Sequence, residues 1–324
     1  MAEPLVSIII PCHNGRDYVA DAIRSALDQT YCSVEVIVVD DGSTDGSPDV
    51  IRSFGDRIRR LAVPHRGGGA ARNAGLESSR GDFIQFLDAD DTLLPNALRR
   101  RIEVISEGTA DMVFCDSGIL PAPDVTVPTK YSPPYANEDP VLFVLRYNIQ
   151  TLTPLHRRKN LLAIGGWRTD LPCAQEFDLH LRLVCSGCTL HHLPEVLCRV
   201  RKVPGSVSSD YVRVLDQFSG ILEPAYAGLK ESGRLSDERA QAFAAAMARA
   251  ARHYLQRNEV QKGQSYFQVA RRMHPGGGIR QVYSAPGRVL FHTLGPAITE
   301  KLVGGKRRWF PADAAPAGPK EPGP

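Results

Sequence analysis

Three carboxylates stand close together at the end of a short apolar run. Phe83–Leu87 is followed by Asp88, Asp90 and Asp91. Aromatic and β-branched residues in such a run predict a buried strand, whose end would bring the three acids into one small volume. Their repulsion is tolerable only if a cation or strong hydrogen-bond donors lie among them, and hard oxygen ligands favour Mg²⁺ or Mn²⁺ shared with substrate phosphates. The alternative, in which Asp91 or Thr92 caps a helix that begins near Leu93, accounts for at most one carboxylate.

Two earlier strand ends carry polar residues of the same kind. Leu5–Ile10 and Val34–Val39 are β-branched runs that predict buried parallel strands. The first leads into Pro11–Asn14 and the second into Asp40-Asp41. A third loop, Pro64–Gly69, is rich in glycine and precedes a helix, which allows close approach of a ligand to the backbone and favours anions.

Strands and helices alternate through roughly the first ninety residues, which predicts the α/β class and a doubly wound sheet. Ligands in such sheets bind beyond the carboxyl ends of the strands, so we expect three strand ends to meet at one crevice: Pro11–Asn14, Asp40–Asp41 and Asp88–Asp91. Further along, Asp111–Cys115 and Leu193–Val200 predict strands, and Gln175–Leu183 predicts a helix. From Val212 to about Met273, Ala, Arg, Gln and Leu recur at helical spacing, which predicts a small helical appendage.

Bulk composition indicates a globular protein of the cytoplasm. The chain has 324 residues, of which 43% are hydrophobic and 23% charged, and its formal net charge of +3 is too small to indicate nucleic-acid binding. Seven cysteines without a framework spacing favour a reducing compartment. We expect neither a signal peptide nor a membrane span, because no apolar run is long enough.

Four segments together resemble the family 2 glycosyltransferases. The segments are Val6–Pro11, Val38–Asp45, Ala71–Gly75 and Leu87–Asp91. They follow in that family's order and approximate spacing, and the resemblance covers roughly Leu5 to Ser208. It implies the GT-A fold, a doubly wound mixed sheet with a Rossmann-like nucleotide half, over residues 1–210. A helical C-terminal region over 211–310 and a disordered Pro/Ala-rich tail over 311–324 would follow.

The resemblance also implies a reaction. Such a transferase moves a sugar, usually with inversion, from a nucleoside-diphosphate sugar, expected here to be a UDP-sugar, to a saccharide or lipid-linked acceptor in polysaccharide or glycoconjugate synthesis. It uses Mn²⁺ or Mg²⁺, which offsets charge on the leaving diphosphate. The alternatives are a catalytically idle sugar-nucleotide-binding module and a nucleotidyltransferase. The latter usually has a Gly-rich loop with a basic residue directly after the first strand, which Pro11–Arg16 fits poorly.

Carried over residue by residue, the resemblance assigns the donor site to the strand ends. The residues it implies for binding the nucleotide sugar are Pro11, Asn14, Asp40, Asp41, Arg72, Asn73, Asp88, Ala89 and Asp90. His13 is a further candidate, because it lies in the same loop as Asn14 and its ring can stack or form a hydrogen bond. Asp88 and Asp90 form the DxD motif. The metal would be held by Asp90, with Asp91 as a further candidate ligand.

Inverting transfer needs a base that takes the proton of the acceptor hydroxyl. Members of the family commonly carry an acidic pair in a Glu-Asp-aromatic-Asp-Leu setting, which here is Gln175–Leu179. Because Gln replaces the first acid, Glu176 is the expected base and Asp178 the second candidate. The alternative is that both acids only begin a helix, where they suit its dipole.

Two basic segments complete the prediction. Similar proteins often have a His that can meet the metal, whereas this chain has Arg201 and Lys202 in that place, and these are candidates for a contact with phosphate. The basic and aromatic segment Lys306–Phe310 is a candidate for contact with an anionic membrane, at its inner face. The alternative for this segment is a solvated end of the fold.

Overall fold

A computed structural model describes most of the chain. The described residues are 3–108, 110–120, 135, 138–201, 211–284, 287–288, 291, 293 and 295–299. The chain divides into two units, Met1–Gly233 and Arg234–Pro324. The predicted tail over 311–324 lies outside the described residues.

One mixed sheet organises the first unit. Its strands are β1 (Val6–Cys12), β2 (Val34–Asp41), β3 (Arg59–Val63), β4 (Phe83–Phe86), β5 (Thr92–Leu93), β6 (Met112–Leu120), β7 (Pro154–Arg157) and β8 (Leu190–Arg201). They lie in the order β3-β2-β1-β4-β7-β6-β8-β5. The four strands β3, β2, β1 and β4 are parallel, whereas β7 runs antiparallel to both of its neighbours and β5 runs antiparallel to β8. The predicted doubly wound mixed sheet is confirmed.

Helices connect and cover the strands. In the first unit they are α1 (Val19–Leu27), α2 (Ser47–Arg52), α3 (Gly68–Ser78), α4 (Ala97–Glu107), α5 (Pro140–Arg146), α6 (Arg158–Ala163), α7 (Gln175–Ser186), α8 (Tyr211–Asp216) and α9 (Phe218–Glu231). In the second unit they are α10 (Asp237–Gln256), α11 (Val260–Met273) and α12 (Ile279–Val282). The predicted helical C-terminal part is present. Because α8 and α9 belong to the first unit, a functional boundary at residue 210 stays a prediction.

The central strand β1 explains where the crevice forms. Val6, Ile8, Ile9 and Ile10 have no exposed surface, as expected for a parallel strand covered on both faces. β1 pairs with β2 on one side and with β4 on the other, so the strand order reverses there. In open α/β sheets ligands bind at such a reversal, beyond the carboxyl ends of the strands.

Three short elements escaped prediction, and one helix begins later than expected. β5, β7 and α5 have two to seven residues, too few for a clear hydrophobic period. The helix expected near Leu93 begins at Ala97, because Thr92 and Leu93 instead pair with β8. The residue at the start of that helix is Asn96, so the alternative in which Asp91 or Thr92 caps it is wrong.

Candidate active site

The loops after β1 and β2 are tied together by Asn14. Its backbone has φ 50°, a left-handed conformation that Asn tolerates better than most residues. Its side-chain Oδ1 accepts a hydrogen bond from the backbone N–H of Thr44 at 2.8 Å. The backbone N–H of Asn14 donates to Ser43 Oγ at 3.0 Å. These bonds bring the segment after Pro11 against the loop that follows Asp40-Asp41.

Asp41 organises the loop after β3. Its side chain is buried, and its carboxylate accepts hydrogen bonds from the backbone N–H groups of Arg66 and Gly67, both at 2.9 Å. Gly42 follows with φ 66°, and a Cβ there would lie 2.8 Å from the backbone nitrogen of His65, so this close approach requires glycine. Asp40 accepts from the N–H of Ser43 at 3.1 Å. Contact of either acid with a nucleotide base stays a prediction.

His65 is a residue of this region that sequence reasoning missed. Its ring stacks on that of His13, with centroids 3.9 Å apart and planes at 21°. His65 Nδ1 lies 2.9 Å from Asp41 Oδ2, and His13 Nδ1 lies 2.8 Å from the carbonyl oxygen of Asp41. Both rings therefore contact Asp41 through Nδ1. They lie at the strand ends where the nucleobase of the donor is predicted to bind. The only signal for His65 in the sequence is its place within the glycine-rich loop Pro64–Gly69.

Arg72 links the acidic loop to the helix that carries the predicted base. It lies on α3, and its guanidinium donates to Asp88 Oδ1 at 2.5 Å and to Gln175 Oε1 at 3.4 Å. The same group lies 4.7 Å from the centroid of the Trp167 ring, a cation–π contact. The side chain is only 12% exposed, so the structure holds this cation in place beside Asp88.

Asn73 holds the turn that carries Trp167. Its amide donates to the carbonyl oxygen of Trp167 and accepts from the N–H of the same residue, both at 2.8 Å. Gly166, which directly precedes Trp167, has φ 69°. A Cβ at this position would lie 2.5 Å from Asn73 Oδ1, so the turn requires glycine. Asn73 is therefore a positioning residue in this structure, and its predicted contact with the nucleotide is untested.

The three acids after β4 have different surroundings. Asp88 is paired with Arg72, and Asp91, only 5% exposed, accepts from the backbone N–H of Arg201 at 2.9 Å. Ala89 packs against the hydrophobic core between them. Burial and the neighbouring Asp88 charge raise the pKa of Asp90, and burial with both neighbouring carboxylates raises the pKa of Asp91 well above its usual range. In the absence of a cation, both shifts therefore favour the protonated form of these two acids.

The carboxylates of this acidic loop suit a hard divalent cation. Carboxylate oxygens are the ligands that Mg²⁺ and Mn²⁺ prefer, and the raised pKa values show that added positive charge would be favourable. Across the described ranges, only His13, Asp41 and His65 form a group whose ligand atoms all lie within 4.8 Å of one another. The acidic loop does not form so closed a site by itself, which suits an ion that completes its coordination with substrate phosphates.

Arg201 lies beside this acidic loop. Its Nε donates to the backbone carbonyl of Asp90 at 3.1 Å, and its guanidinium pairs with Asp21 at 3.3 Å and lies 5.2 Å from the Tyr18 ring centroid. Arg201 is therefore placed near the predicted diphosphate, although its contact with phosphate is untested. Lys202 lies outside the described residues.

The two candidate bases differ sharply in exposure. Glu176 is half-buried in the first turn of α7, and its Oε1 accepts from Asn148 Nδ2 at 3.0 Å. Asp178 is buried between two guanidiniums, with Arg182 at 2.7 Å and Arg168 at 3.5 Å. A base must reach the acceptor hydroxyl, and the contacts of Asp178 suit an ion-pair role instead.

Replacement of Asp178 by asparagine should therefore destabilise the fold. The change leaves Arg168 and Arg182 without their shared buried carboxylate, and breaking such a pair costs about 3–5 kcal/mol. Urea unfolding followed by circular dichroism measures the effect. Asp170→Asn is the matched control, because Asp170 pairs with the same Arg168 but is 66% exposed, and it should cost less than about 1 kcal/mol. Equal stability of the two variants would contradict the assignment.

Comparison with known proteins agrees with this arrangement. The model of Glycosyl transferase family 2 matches residues 7–143. TuaG of Bacillus subtilis (strain 168) is 31% identical to this chain over 214 residues. The matched part is 64% of this chain and 83% of TuaG. The name of TuaG describes it provisionally as a teichuronic acid biosynthesis glycosyltransferase.

Solved structures share the fold. TarS 1-349 of S. aureus in complex with UDP-GlcNAc has a TM-score of 0.68 at 16% identity, over 94% of this chain and 93% of that one. The mannosyltransferase PcManGT of Pyrobaculum calidifontis, in complex with GDP-Man and Mn²⁺, has a TM-score of 0.54 at 17% identity, over 94% and 89% of the two chains. At these identities the likeness establishes a GT-A fold.

Coverage varies among the relatives. The chain spans only 31% and 33% of the length of two Rickettsia relatives, from R. felis and R. prowazekii, to which it is 33% and 42% identical. Most of the TuaG chain is nevertheless matched, and the matched family model spans the strand ends and the acidic loop described above. The chain belongs to the family 2 glycosyltransferases.

Proposed function

We propose that this protein transfers a sugar, with inversion, from a nucleoside-diphosphate sugar to a saccharide or lipid-linked acceptor. The observation that carries the proposal is the physical link between the acidic loop and the base-bearing helix. Asp88 binds Arg72, and Arg72 reaches Gln175, the neighbour of the half-buried Glu176. Donor phosphates and acceptor hydroxyl would meet between these two groups.

The donor would lie along the strand ends. The segment from Pro11 to Asn14, together with Asp40 and Asp41, would face the nucleoside, and we propose uridine as the base. TarS was solved with UDP-GlcNAc, which supports a UDP-sugar, whereas PcManGT was solved with GDP-Man, which keeps guanosine as a case to test. The provisional role of TuaG in teichuronic acid biosynthesis supports an acceptor in polysaccharide synthesis.

Asp90 would hold Mn²⁺ or Mg²⁺ with the donor diphosphate, Asp91 is the further candidate ligand, and Asp88 would contact the nucleotide sugar. When bound, the ion supplies positive charge that offsets the charge developing on the leaving diphosphate. Arg201, and Lys202 outside the described residues, would add positive charge near the same phosphates. The Mn²⁺ in the PcManGT complex supports this part of the proposal.

Glu176 would accept the proton of the acceptor hydroxyl as that oxygen attacks the anomeric carbon from the face opposite the leaving group. Asn148 holds one carboxylate oxygen of Glu176 through its amide and so fixes the orientation of the base. Asp178, through Arg168 and Arg182, would keep the start of α7 in place.

We further propose that the protein works in the cytoplasm at the inner face of a membrane. In the described part of the chain, no helix is long and apolar enough to cross a membrane. All seven cysteines are free thiols, which suits a reducing compartment. The segment Lys306–Phe310, predicted to touch the membrane, lies outside the described residues.

A thermal-shift screen tests the donor class. UDP, GDP and their sugar conjugates are each added with and without Mn²⁺. We expect a rise in Tm with uridine nucleotides that is larger with metal, because a ligand at about 100 times its Kd stabilises the folded state by about 2.7 kcal/mol. A larger rise in Tm with guanosine nucleotides than with uridine nucleotides would overturn the proposal that the donor nucleotide contains uridine. No rise with any nucleotide would contradict the proposal of a nucleotide-sugar donor.

A further inference from the structure

Two imidazole nitrogens and two oxygens meet beyond the ends of three neighbouring strands. His13 directly follows β1, Asp41 ends β2, and His65 lies two residues after β3. His13 Nδ1 lies 2.8 Å from the carbonyl oxygen of Asp41. His65 Nδ1 lies 3.1 Å from the same oxygen and 2.9 Å from Asp41 Oδ2. The three residues each offer one ligand atom within 4.8 Å of the other two, so a single cation can reach all three.

These distances suit the coordination sphere of a transition metal. Zinc bonds to imidazole nitrogen and carboxylate oxygen are about 2.0–2.2 Å long, which places two ligands of a tetrahedron about 3.3 Å apart. The nitrogen–oxygen distances here are 2.8, 2.9 and 3.1 Å. They are about 0.2–0.5 Å shorter than that tetrahedral edge, so small outward shifts of the two rings would admit the ion.

The two rings can make such shifts, whereas Asp41 is held in place. The His65 side chain is 56% exposed and His13 is exposed as well, so both rings are open to an ion from solvent. The Asp41 side chain is 3% exposed and is fixed by the backbone N–H groups of Arg66 and Gly67. A carboxylate has about four acceptor positions, so a metal can take the position that faces His65 without breaking these two bonds.

The present hydrogen bonds of the rings oppose a metal only weakly. Asn14 Nδ2 is a donor and lies 3.2 Å from His13 Nε2, which assigns the proton of the neutral ring to Nδ1. A metal on Nδ1 would move this proton to Nε2 and break an exposed hydrogen bond, whose partners water can replace. His65 Nε2 has no hydrogen-bond partner in the part of the chain that the structure describes, so a proton there costs no such bond.

We propose that His13, Asp41 and His65 form a binding site for a divalent transition metal of the Zn²⁺ type. Imidazole nitrogen suits Zn²⁺, Co²⁺ and Ni²⁺, whereas the carboxylates of the acidic loop suit the harder Mg²⁺ and Mn²⁺. The two Nδ1 atoms and Asp41 Oδ2 supply three ligands, and water or the Asp41 carbonyl completes the tetrahedron. The site is thus separate from the predicted metal position at Asp90 and differs from it in ligand chemistry.

A metal at this site would exclude the nucleoside of the donor. This clause rests on the proposed function, which places the nucleoside against Pro11–Asn14, Asp40 and Asp41, whereas the metal site itself does not. A metal bound to both rings occupies the same strand ends, so metal and nucleoside compete. By linkage, each should weaken the binding of the other by the same factor. Zn²⁺ should therefore raise KM for the donor without lowering kcat.

Titration of the full chain with Co²⁺ tests the site without an activity assay. Tetrahedral Co²⁺ with nitrogen ligands absorbs visible light, and excess Mg²⁺ in the buffer occupies sites made only of oxygen. We expect a visible absorption band that added Zn²⁺ removes. His65→Phe and His13→Phe each keep a flat ring but remove one ligand nitrogen. Loss of an outer-shell partner alone costs 10–100-fold in metal affinity, so each variant should bind Co²⁺ at least roughly a hundredfold more weakly.

Two controls locate the ion. His191→Phe alters an exposed histidine on β8, and Asp90→Ala removes a carboxylate of the acidic loop. Both should bind Co²⁺ like the original chain, and circular dichroism confirms that every variant is folded. No visible band, or an unchanged band in His65→Phe, would overturn the site. Loss of the band in Asp90→Ala would assign the ion to the acidic loop and overturn it as well.

Competition with nucleosides tests the exclusion. Uridine and guanosine are used because they have no phosphate that could chelate the ion. We expect the nucleoside that matches the donor to reduce the Co²⁺ band, and displacement by neither nucleoside would overturn the exclusion. The Co²⁺ band requires no nucleotide, so failure of the metal site is distinguishable from failure of the proposed donor.

Discussion

Replacement of Asp90 by alanine is expected to abolish metal-dependent turnover. Among the described residues, the carboxylate of Asp90 accepts a hydrogen bond only from its own backbone N–H, whereas Asp88 is paired with Arg72 and Asp91 with the backbone of Arg201. Asp90 is therefore the acid most available to a cation. Losing it removes transition-state stabilisation of several kcal/mol, so we expect kcat to fall at least roughly a thousandfold.

A transfer assay at saturating donor and Mn²⁺ measures this effect. The matched control is Asp49→Asn, which removes an exposed carboxylate on α2 and should leave kcat within about twofold. In the thermal-shift screen the variant should lose the metal-dependent part of the nucleotide response. Retention of metal-dependent transfer by Asp90→Ala would remove Asp90 from the predicted metal site.

The same acid should make donor binding sensitive to pH. Burial and the Asp88 charge raise the pKa of Asp90, so protons compete with a cation for this carboxylate at higher pH than for an ordinary aspartate. Affinity for the metal–donor complex should therefore rise as pH increases through that pKa. Titration of Mn²⁺ with UDP present, across the acid range, measures the slope. An affinity that is flat from acid to neutral pH would contradict the assignment.

Replacement of Glu176 by glutamine should separate donor binding from transfer. Glutamine keeps the shape of the side chain and can still accept the hydrogen bond from Asn148, but it cannot take a proton at neutral pH. General-base catalysis contributes roughly 10²–10⁴-fold, so kcat should fall by that factor while the thermal shift with UDP and Mn²⁺ persists.

Two controls make this result specific. Glu103→Gln alters an exposed carboxylate on α4 and should leave transfer unchanged. Glu176→Asp keeps a carboxylate and should retain part of the activity, because the group can still accept a proton from a slightly displaced position. Transfer by Glu176→Gln at the original rate would falsify the base assignment and return attention to Asp178.

The alternating strands and the acidic loop could be predicted from sequence because their physical causes are local. A β-branched run such as Val6–Ile10 is stable chiefly when both of its faces are buried, and it reads as a buried parallel strand without knowledge of its partners. Asp88, Asp90 and Asp91 follow such a run directly, so their common location was implied by chain connectivity. The family order of four segments then linked separate strand ends into one donor site.

The tertiary structure alone decided which polar residues are free to act. Asp178 and Glu176 lie two residues apart in one helix turn, yet Arg168 and Arg182 bury one while Asn148 holds the other half-exposed. Sequence cannot separate them, because the partners lie 4 to 28 positions away along the chain. The same holds for Asn73 and for His65, whose roles depend on a turn and a strand end distant in sequence. Residue type and spacing determined which chemistry is available, and long-range packing decided which side chain can perform it.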